Sequence, residues 1–185
     1  MDNKATYLKH QLLIAMPHMA DPNFAGTVTY ICEHNEHGAM GIIINRPTEL
    51  TLGDVFEQMN LGPSHRDELV YAGGPVQIER GFVIHRPKGD WQATLPIEED
   101  ICLTSSRDIL TAYANNEGPV EAIIALGYAG WGAGQLEQEL LGNSWLNCPA
   151  DAHILFHVHY RERLAAAAAK IGVDLSLLSN QVGHA

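Results

Sequence analysis

Gly127-Tyr128-Ala129-Gly130-Trp131-Gly132-Ala133-Gly134-Gln135-Leu136-Glu137-Gln138-Glu139 is the stretch on which the reading of this chain turns. An apolar run, Ala122 to Leu126, leads into it in the manner of a buried strand. Four glycines then surround one indole, and Gln135 to Leu141 leads out as a helix. Strand, glycine loop and helix start form a common ligand-binding arrangement, because the first N–H groups of a helix have no partner inside it. The glycines stand at 127, 130, 132 and 134, which is not the Gly-x-Gly-x-x-Gly spacing of a dinucleotide loop, and no acidic ribose partner follows. The expectation is that Gly127 to Gly134 lets strand, indole and helix pack closely, with a ligand cradle as the alternative.

Outward from this stretch, strands dominate the first half of the chain and alternate with helices in the second. His10 to Met16 is a strand closed by Pro17. Thr27 to Cys32 and Ala39 to Asn45 form a hairpin across Glu33-His34-Asn35-Glu36-His37-Gly38, the second strand central because both its faces are apolar. Thr51 and Asp54 imitate a capping box before the helical stripe Leu52, Val55, Phe56 and Met59. Short strands follow at Leu69 to Ala72, Gly81 to His85, Trp91 to Ile97 and Ile101 to Thr104. Ser105 or Ser106 is expected to cap a helix reaching Asn115, with Asp108 in its first turn. Ser144 to Pro149 reads as a connector, and His153 to Tyr160 alternates like a strand. Arg161 to Ile171, with five consecutive alanines and Gly172 as left-handed cap, is the surest helix. No repeat or linker divides residues 1–185, so the expectation is one α+β domain.

Bulk properties narrow the function classes. A net charge of −11 with only 11 Lys and Arg argues against a broad basic surface for nucleic acid or anionic membranes. The N-terminus has no basic n-region, and no stretch reaches the roughly 20 apolar residues of a membrane span. Cys32, Cys102 and Cys148 each sit among apolar neighbours and read as buried reduced thiols, which together with the rest points to a soluble, cytoplasmic protein.

The chemistry-bearing residues form three groups. Gly73-Gly74-Pro75 is a second glycine turn, and beside the first it would make one floor for a small acidic ligand. The candidate ligand-binding residues are therefore Gly73, Gly74, Gly127, Gly130, Trp131 and Gln135, with Asn45 and His85 as polar ends of neighbouring strands. Ser106, Asp108 and His85 are the alternative, a hydrolase or transferase site without a nucleophile elbow. His153, His157 and His159 share one face of the expected strand, where alternate residues lie about 6–7 Å apart, and are the alternative metal site. Glu137 and Glu139, two apart on a helix, do not share a face and are not expected to act together. No cofactor is implied.

Several segments together resemble one family. They are Leu13-Ile14-Ala15-Met16-Pro17 with Asp21-Pro22-Asn23-Phe24, Gly38 to Pro47, Gly73-Gly74-Pro75, Gly81 to His85, Ser105-Ser106-Arg107-Asp108, and Gly127 to Glu139. Asn143-Ser144-Trp145-Leu146, Pro149-Ala150-Asp151, Gly172-Val173-Asp174 and Gly183-His184-Ala185 complete the set. In this order they resemble the AlgH/YqgE family of small bacterial cytosolic proteins. The resemblance implies a barrel-like or bifurcated mixed sheet flanked by about four helices. It also implies a regulatory role, tied in one branch to alginate gene expression. With the acidic balance and the missing catalytic signature, it points to action through a small ligand or protein partner rather than to catalysis. It supplies no catalytic residue. Leu164 stands where members often carry Trp, a departure that bears on helix packing.

Overall fold

The computed structural model describes residues 6–62 and 65–182; the terminal Gly183-His184-Ala185 motif lies outside them. Ten strands and six α-helices alternate along this length. The first part runs β1 (Gln11–Ala15), β2 (Val28–Asn35), β3 (Gly38–Ile43), β4 (Pro47–Thr51), α1 (Leu52–Gln58), β5 (Leu69–Ala72), β6 (Val76–Arg86), β7 (Thr94–Glu98) and β8 (Ile101–Thr104). The second part runs α2 (Asp108–Ala114), β9 (Glu121–Gly132), α3 (Gln135–Leu141), β10 (Trp145–Pro149), α4 (Ala152–Phe156), α5 (Arg163–Lys170) and α6 (Leu175–Val182).

The sheet order is β10-β1-β2-β3-β9-β6-β8-β7, curled into a half-barrel and antiparallel throughout this path. β9 is its spine, with β6 along one edge. On the other edge the partner changes. β5 runs parallel to Ile124, Ala125 and Leu126, while β3 runs antiparallel to Ala129 through Gly132. The sheet therefore forks along β9, and β4 closes the branch by pairing with β5.

The fork is built from glycine. Gly73 donates its N–H to the Leu126 carbonyl and accepts from the Ile43 N–H, each at 2.8 Å, so it bridges both arms. Gly74 and Gly127 have φ of 157° and 78°, and a Cβ on either would overlap the other segment's backbone. At Gly127 the side-chain alternation of β9 slips by one. Ile123 and Ala125 face the same core as Tyr128, whereas Ala129 and Trp131 face the opposite side. That slip lets one strand serve three clusters. The core of Leu12, Tyr30, Ile42, Phe82, Ile84 and Leu103 lies on one face with α4 and α5. α1 and α2 cover one part of the other face, and Leu136 of α3 covers the rest.

Local sequence accounts for the helix ends. The Thr51–Asp54 capping box forms in both directions, at 3.2 and 2.9 Å. Gly172 (φ 69°) closes α5 in a Schellman arrangement, with Val173 N–H bonded to Ala168 O, and the alanines bring this helix close to the sheet. Lys170 donates to Pro149 O and pairs with Asp151 at 2.9 Å.

Four sequence expectations are corrected. The glycine stretch is no loop: β9 continues to Gly132, leaving only Ala133–Gly134 as the turn before α3. Ser144 to Pro149 is largely strand, an edge position paired among the described residues only with β1, which tolerates the missing N–H of Pro149. His153 to Tyr160 is not a strand. Asp151 caps α4 by accepting from Ile154 N–H at 2.8 Å, and the buried neighbours Ile154 and Leu155 follow a helix and not an alternating strand. The N-cap of α2 is Arg107, without a side-chain cap, because the serines bond elsewhere.

The fork makes Gly74 intolerant of any side chain. Gly74→Ala is expected to lose about 2–4 kcal/mol in urea denaturation, from overlap with Tyr128 and backbone strain. Gly26→Ala, with φ 73° but open space around it, should lose only about 1–2 kcal/mol. Equal losses would show that conformation, not backbone approach, sets the requirement.

Candidate functional site

The two glycine turns do lie side by side, but as backbone packed on backbone, with Gly73 and Gly74 against Gly127 and Tyr128. Both polar groups of Gly73 are bonded within the sheet, so the contact is a joint rather than an open anion floor. Asn45 is equally engaged, accepting from Val28 N–H and donating to Gly26 O at 3.0 Å each.

Trp131 and Gln135 belong to a second lock. Trp131 and Trp145 point their indole N–H groups at one carboxylate oxygen of Glu139, at 3.2 and 3.0 Å. Gln135 accepts from Gly132 N–H and donates to the other Glu139 oxygen at 2.9 Å. Phe24 packs against both indoles. Two residues earlier, Glu137 takes the Nε2–H of buried His34, whose Nδ1 accepts from Leu8 N–H. Both glutamates therefore hold α3 to the sheet, each through its own partner. The i, i+4 spacing of Gln135 and Glu139 was visible in the sequence, but the arrival of Trp145 was not.

The Ser106–Asp108–His85 alternative is not assembled by hydrogen bonding. Ser106 donates to Asp108 and accepts from Ala93 N–H, while Asp108 accepts from Gln92 N–H, so the pair fastens the segment before β7 to α2. His85 is fully buried between Pro87 O, at 3.1 Å from Nδ1, and the Thr104 hydroxyl, at 2.7 Å from Nε2. A carbonyl only accepts, so the neutral ring carries its proton on Nδ1 and accepts from Thr104. Burial pushes its pKa below the ordinary value, only partly opposed by the Pro87 carbonyl.

The helix that replaced the expected strand brings His153 and His157 of the metal alternative together, while His159 packs against Tyr160. His153 lies in α4 with its ring stacked on that of His157, His157 meets Glu121 at 3.1 Å, and His159 accepts from Arg161 N–H. Among the described residues no group of three or more His, Cys, Asp or Glu is placed to hold a metal ion. The three thiols are buried and unpaired, and burial raises the pKa of each.

The space available to a ligand lies beside these residues. A groove of about 850 Å³ opens on the sheet face that carries α4 and α5, beyond those helices, none of whose residues line it. Met40, Phe82, Leu95 and Tyr128 form apolar lining, Gly130 and Trp131 contribute at one side, and Arg80, Gln92 and Ser105 add polar groups. Two of the eight candidate ligand residues thus reach it. Arg80 and Tyr128 were not singled out in the sequence; Arg80 lies between the expected turn Gly73-Gly74-Pro75 and the expected strand from Gly81. A second groove, about 620 Å³, lies on the opposite face between α1 and α2 and includes Leu50, Met59 and Ile78. A third, about 320 Å³, meets Arg163, which is buried, donates to the Ile44 and Val158 carbonyls, and lies over Tyr71.

Fold and groove define a class of α+β protein with a forked half-barrel and an open groove of mixed polar and apolar lining. Within that class the chain belongs to the AlgH-like family, whose model matches residues 12–176. It is similar to a UPF0301 protein of Hahella chejuensis (strain KCTC 2396), 52% identical over the full length of both chains. A UPF0301 protein of Thioalkalivibrio sulfidiphilus (strain HL-EbGR7) is 56% identical over 95% of this chain and 96% of its own. The solution structure of the AlgH protein from Pseudomonas aeruginosa matches with a TM-score of 0.80 at 54% identity, covering 100% of both chains. A Corynebacterium diphtheriae crystal structure shares the fold alone, with a TM-score of 0.73 at 19% identity over 97% of this chain and 94% of that one. No helix among the described residues is long and apolar enough to cross a membrane.

Two predictions follow from this geometry. Glu139→Ala strips the acceptor from two buried indoles and should cost about 2–4 kcal/mol with a change in near-ultraviolet circular dichroism; Glu139→Gln, which keeps one oxygen, should cost roughly half as much. His85 is neutral in the fold below the pH at which it charges in the unfolded chain. Its contribution is therefore complete above about pH 6.5 and lost as pH falls towards its folded value. Denaturation between pH 7.5 and 5 should show stability falling with pH, with up to about 1.4 kcal/mol per pH unit from this one proton. His10, also lowered by burial, adds to the slope, and His85→Gln should make it shallower. Parallel slopes for the two proteins would rule out His85 as a source.

Proposed function

We propose that the chain is a non-enzymatic cytosolic regulator that acts through a small ligand held in the open groove of the half-barrel. The groove itself carries this reading: about 850 Å³ on an otherwise covered sheet face falls within the roughly 300–1,000 Å³ usual for ligand pockets. The hydrogen bonds that commit Ser106, Asp108 and His85 to other groups support a binding role over the hydrolase alternative. The acidic balance of the chain supports action without direct contact to nucleic acid. A protein partner is the second form of this reading, favoured by Ile78, which is 66% exposed at the rim of the groove on the other face.

A screen of uncharged and charged fragments against isotope-labelled full-length chain tests the ligand reading. Amide shifts are expected to concentrate at Met40, Tyr128, Gly130 and Ser105. Ala93→Trp, a change at an exposed lining position, should suppress them without unfolding the protein. Shifts that scatter over the surface, or that persist unchanged in Ala93→Trp, would overturn it.

A further inference from the structure

The polar lining of the groove contains one Lys or Arg, and the way β6 delivers it is unusual. Between Val76, opposite Tyr128, and Gly81, opposite Leu126, β6 advances five residues while β9 advances two. The surplus leaves the ladder as Gln77 to Arg80, and Gln77 takes a φ of 47°, a left-handed conformation uncommon for a residue with a side chain. Backbone departures of this kind persist where the surroundings enforce them, and bulges re-aim side chains at the margins of sites.

What this excursion positions is the Arg80 guanidinium. It lies 5.2 Å from the Phe82 ring centroid and donates to Gln77 Oε1 and Ser105 Oγ, both at 3.3 Å. No carboxylate lies within ion-pair reach of it among the described residues. The contrast with other arginines is direct. Arg66 and Arg86 pair with glutamates, and Arg46 and Arg107 donate to main-chain carbonyls at 2.6–2.7 Å. Arg80 is held by long bonds to two neutral side chains beside an apolar floor, in a chain of net charge −11.

Resting on the groove reading above, we propose that the ligand is an organic monoanion: a carboxylate on an apolar or aromatic body, its head received by Arg80 and its body lying on Phe82, Tyr128, Met40 and Leu95. A planar guanidinium fork matches a carboxylate edge to edge. The single cation, with Glu33 exposed elsewhere in the lining, disfavours more highly charged groups.

The test uses three probes with one body: 4-phenylbutyrate, 4-phenylbutyramide and 4-phenylbutylamine, titrated into the full-length chain by amide shift mapping. The acid should bind at Tyr128, Gly130 and Ser105 about ten-fold or more tightly than the amide, and the amine should be weakest. Arg80→Gln, at an exposed position, should reduce acid affinity to that of the amide and leave the amide unchanged. An acid that binds no better than the amide, or whose advantage survives Arg80→Gln, overturns the proposal while leaving groove binding in place. Absence of groove shifts with all three probes overturns it as well, and the fragment screen with Ala93→Trp decides separately whether the groove binds at all.

Discussion

The close approach of Gly73–Gly74 to Gly127–Tyr128 is the constraint on which the rest of the molecule depends. A strand edge has room for one neighbour at each point along its length, and β9 uses one edge for two, β5 first and β3 after it. The handover succeeds only because the chain leaving β5 can lie backbone to backbone against β9, and a Cβ on Gly73, Gly74 or Gly127 would fill that space. Once the handover is made, the apolar faces of both arms are fixed. β3 joins β1, β2 and β10 under α5, while β5 turns its Val70 toward α1 and α2. A single joint thereby decides which helices cover which part of the sheet.

The tryptophan lock has the same logic at the far end of β9. α3 is only seven residues long and has no side-chain cap, so its place depends on side chains that reach the sheet. Leu136 supplies apolar contact, while Glu137 and Glu139 supply directed bonds to His34, Trp131 and Trp145. These partners come from β2, β9 and β10, so one short helix fastens the strands on both sides of β1 together.

Much of this was legible in the sequence, and the losses have identifiable causes. The β2–β3 hairpin, the Thr51 capping box and the alanine helix follow from local pattern, because each is decided by neighbours within a few residues. The family resemblance added the fork, which no local pattern contains. β9 was cut short because glycine density reads as loop, whereas here the glycines of a strand admit other backbones; Gly38 against the Trp131 carbonyl is another such approach. His153 to Tyr160 misled because alternation of apolar residues over eight positions favours a strand, yet one aspartate cap and a buried Ile154–Leu155 pair outweighed it. Gly74, Gly127 and Trp131 do pack closely, while Gly130 and Trp131 also line the groove. The groove beside them was invisible, since its lining comes from β2, β3, β6, β7, β8 and β9 and no short segment announces it.

The joint and the groove also share an origin. Both arise where a strand leaves its ladder: β9 by a one-residue slip at Gly127, and β6 by the excursion from Gln77 to Arg80 directly across from it. The slip lets β9 change partners and turns Tyr128 onto the face where Phe82 lies, with ring centroids 5.6 Å apart. The excursion releases β6 from pairing over the same interval, which leaves Arg80 above Phe82 instead of locked in the sheet. A flat, regular pairing of these two strands would close the gap between them and remove both features. The irregularity that makes the fork possible is thus also what opens a ligand-sized space, and it sets a cation beside an aromatic floor in an otherwise acidic protein.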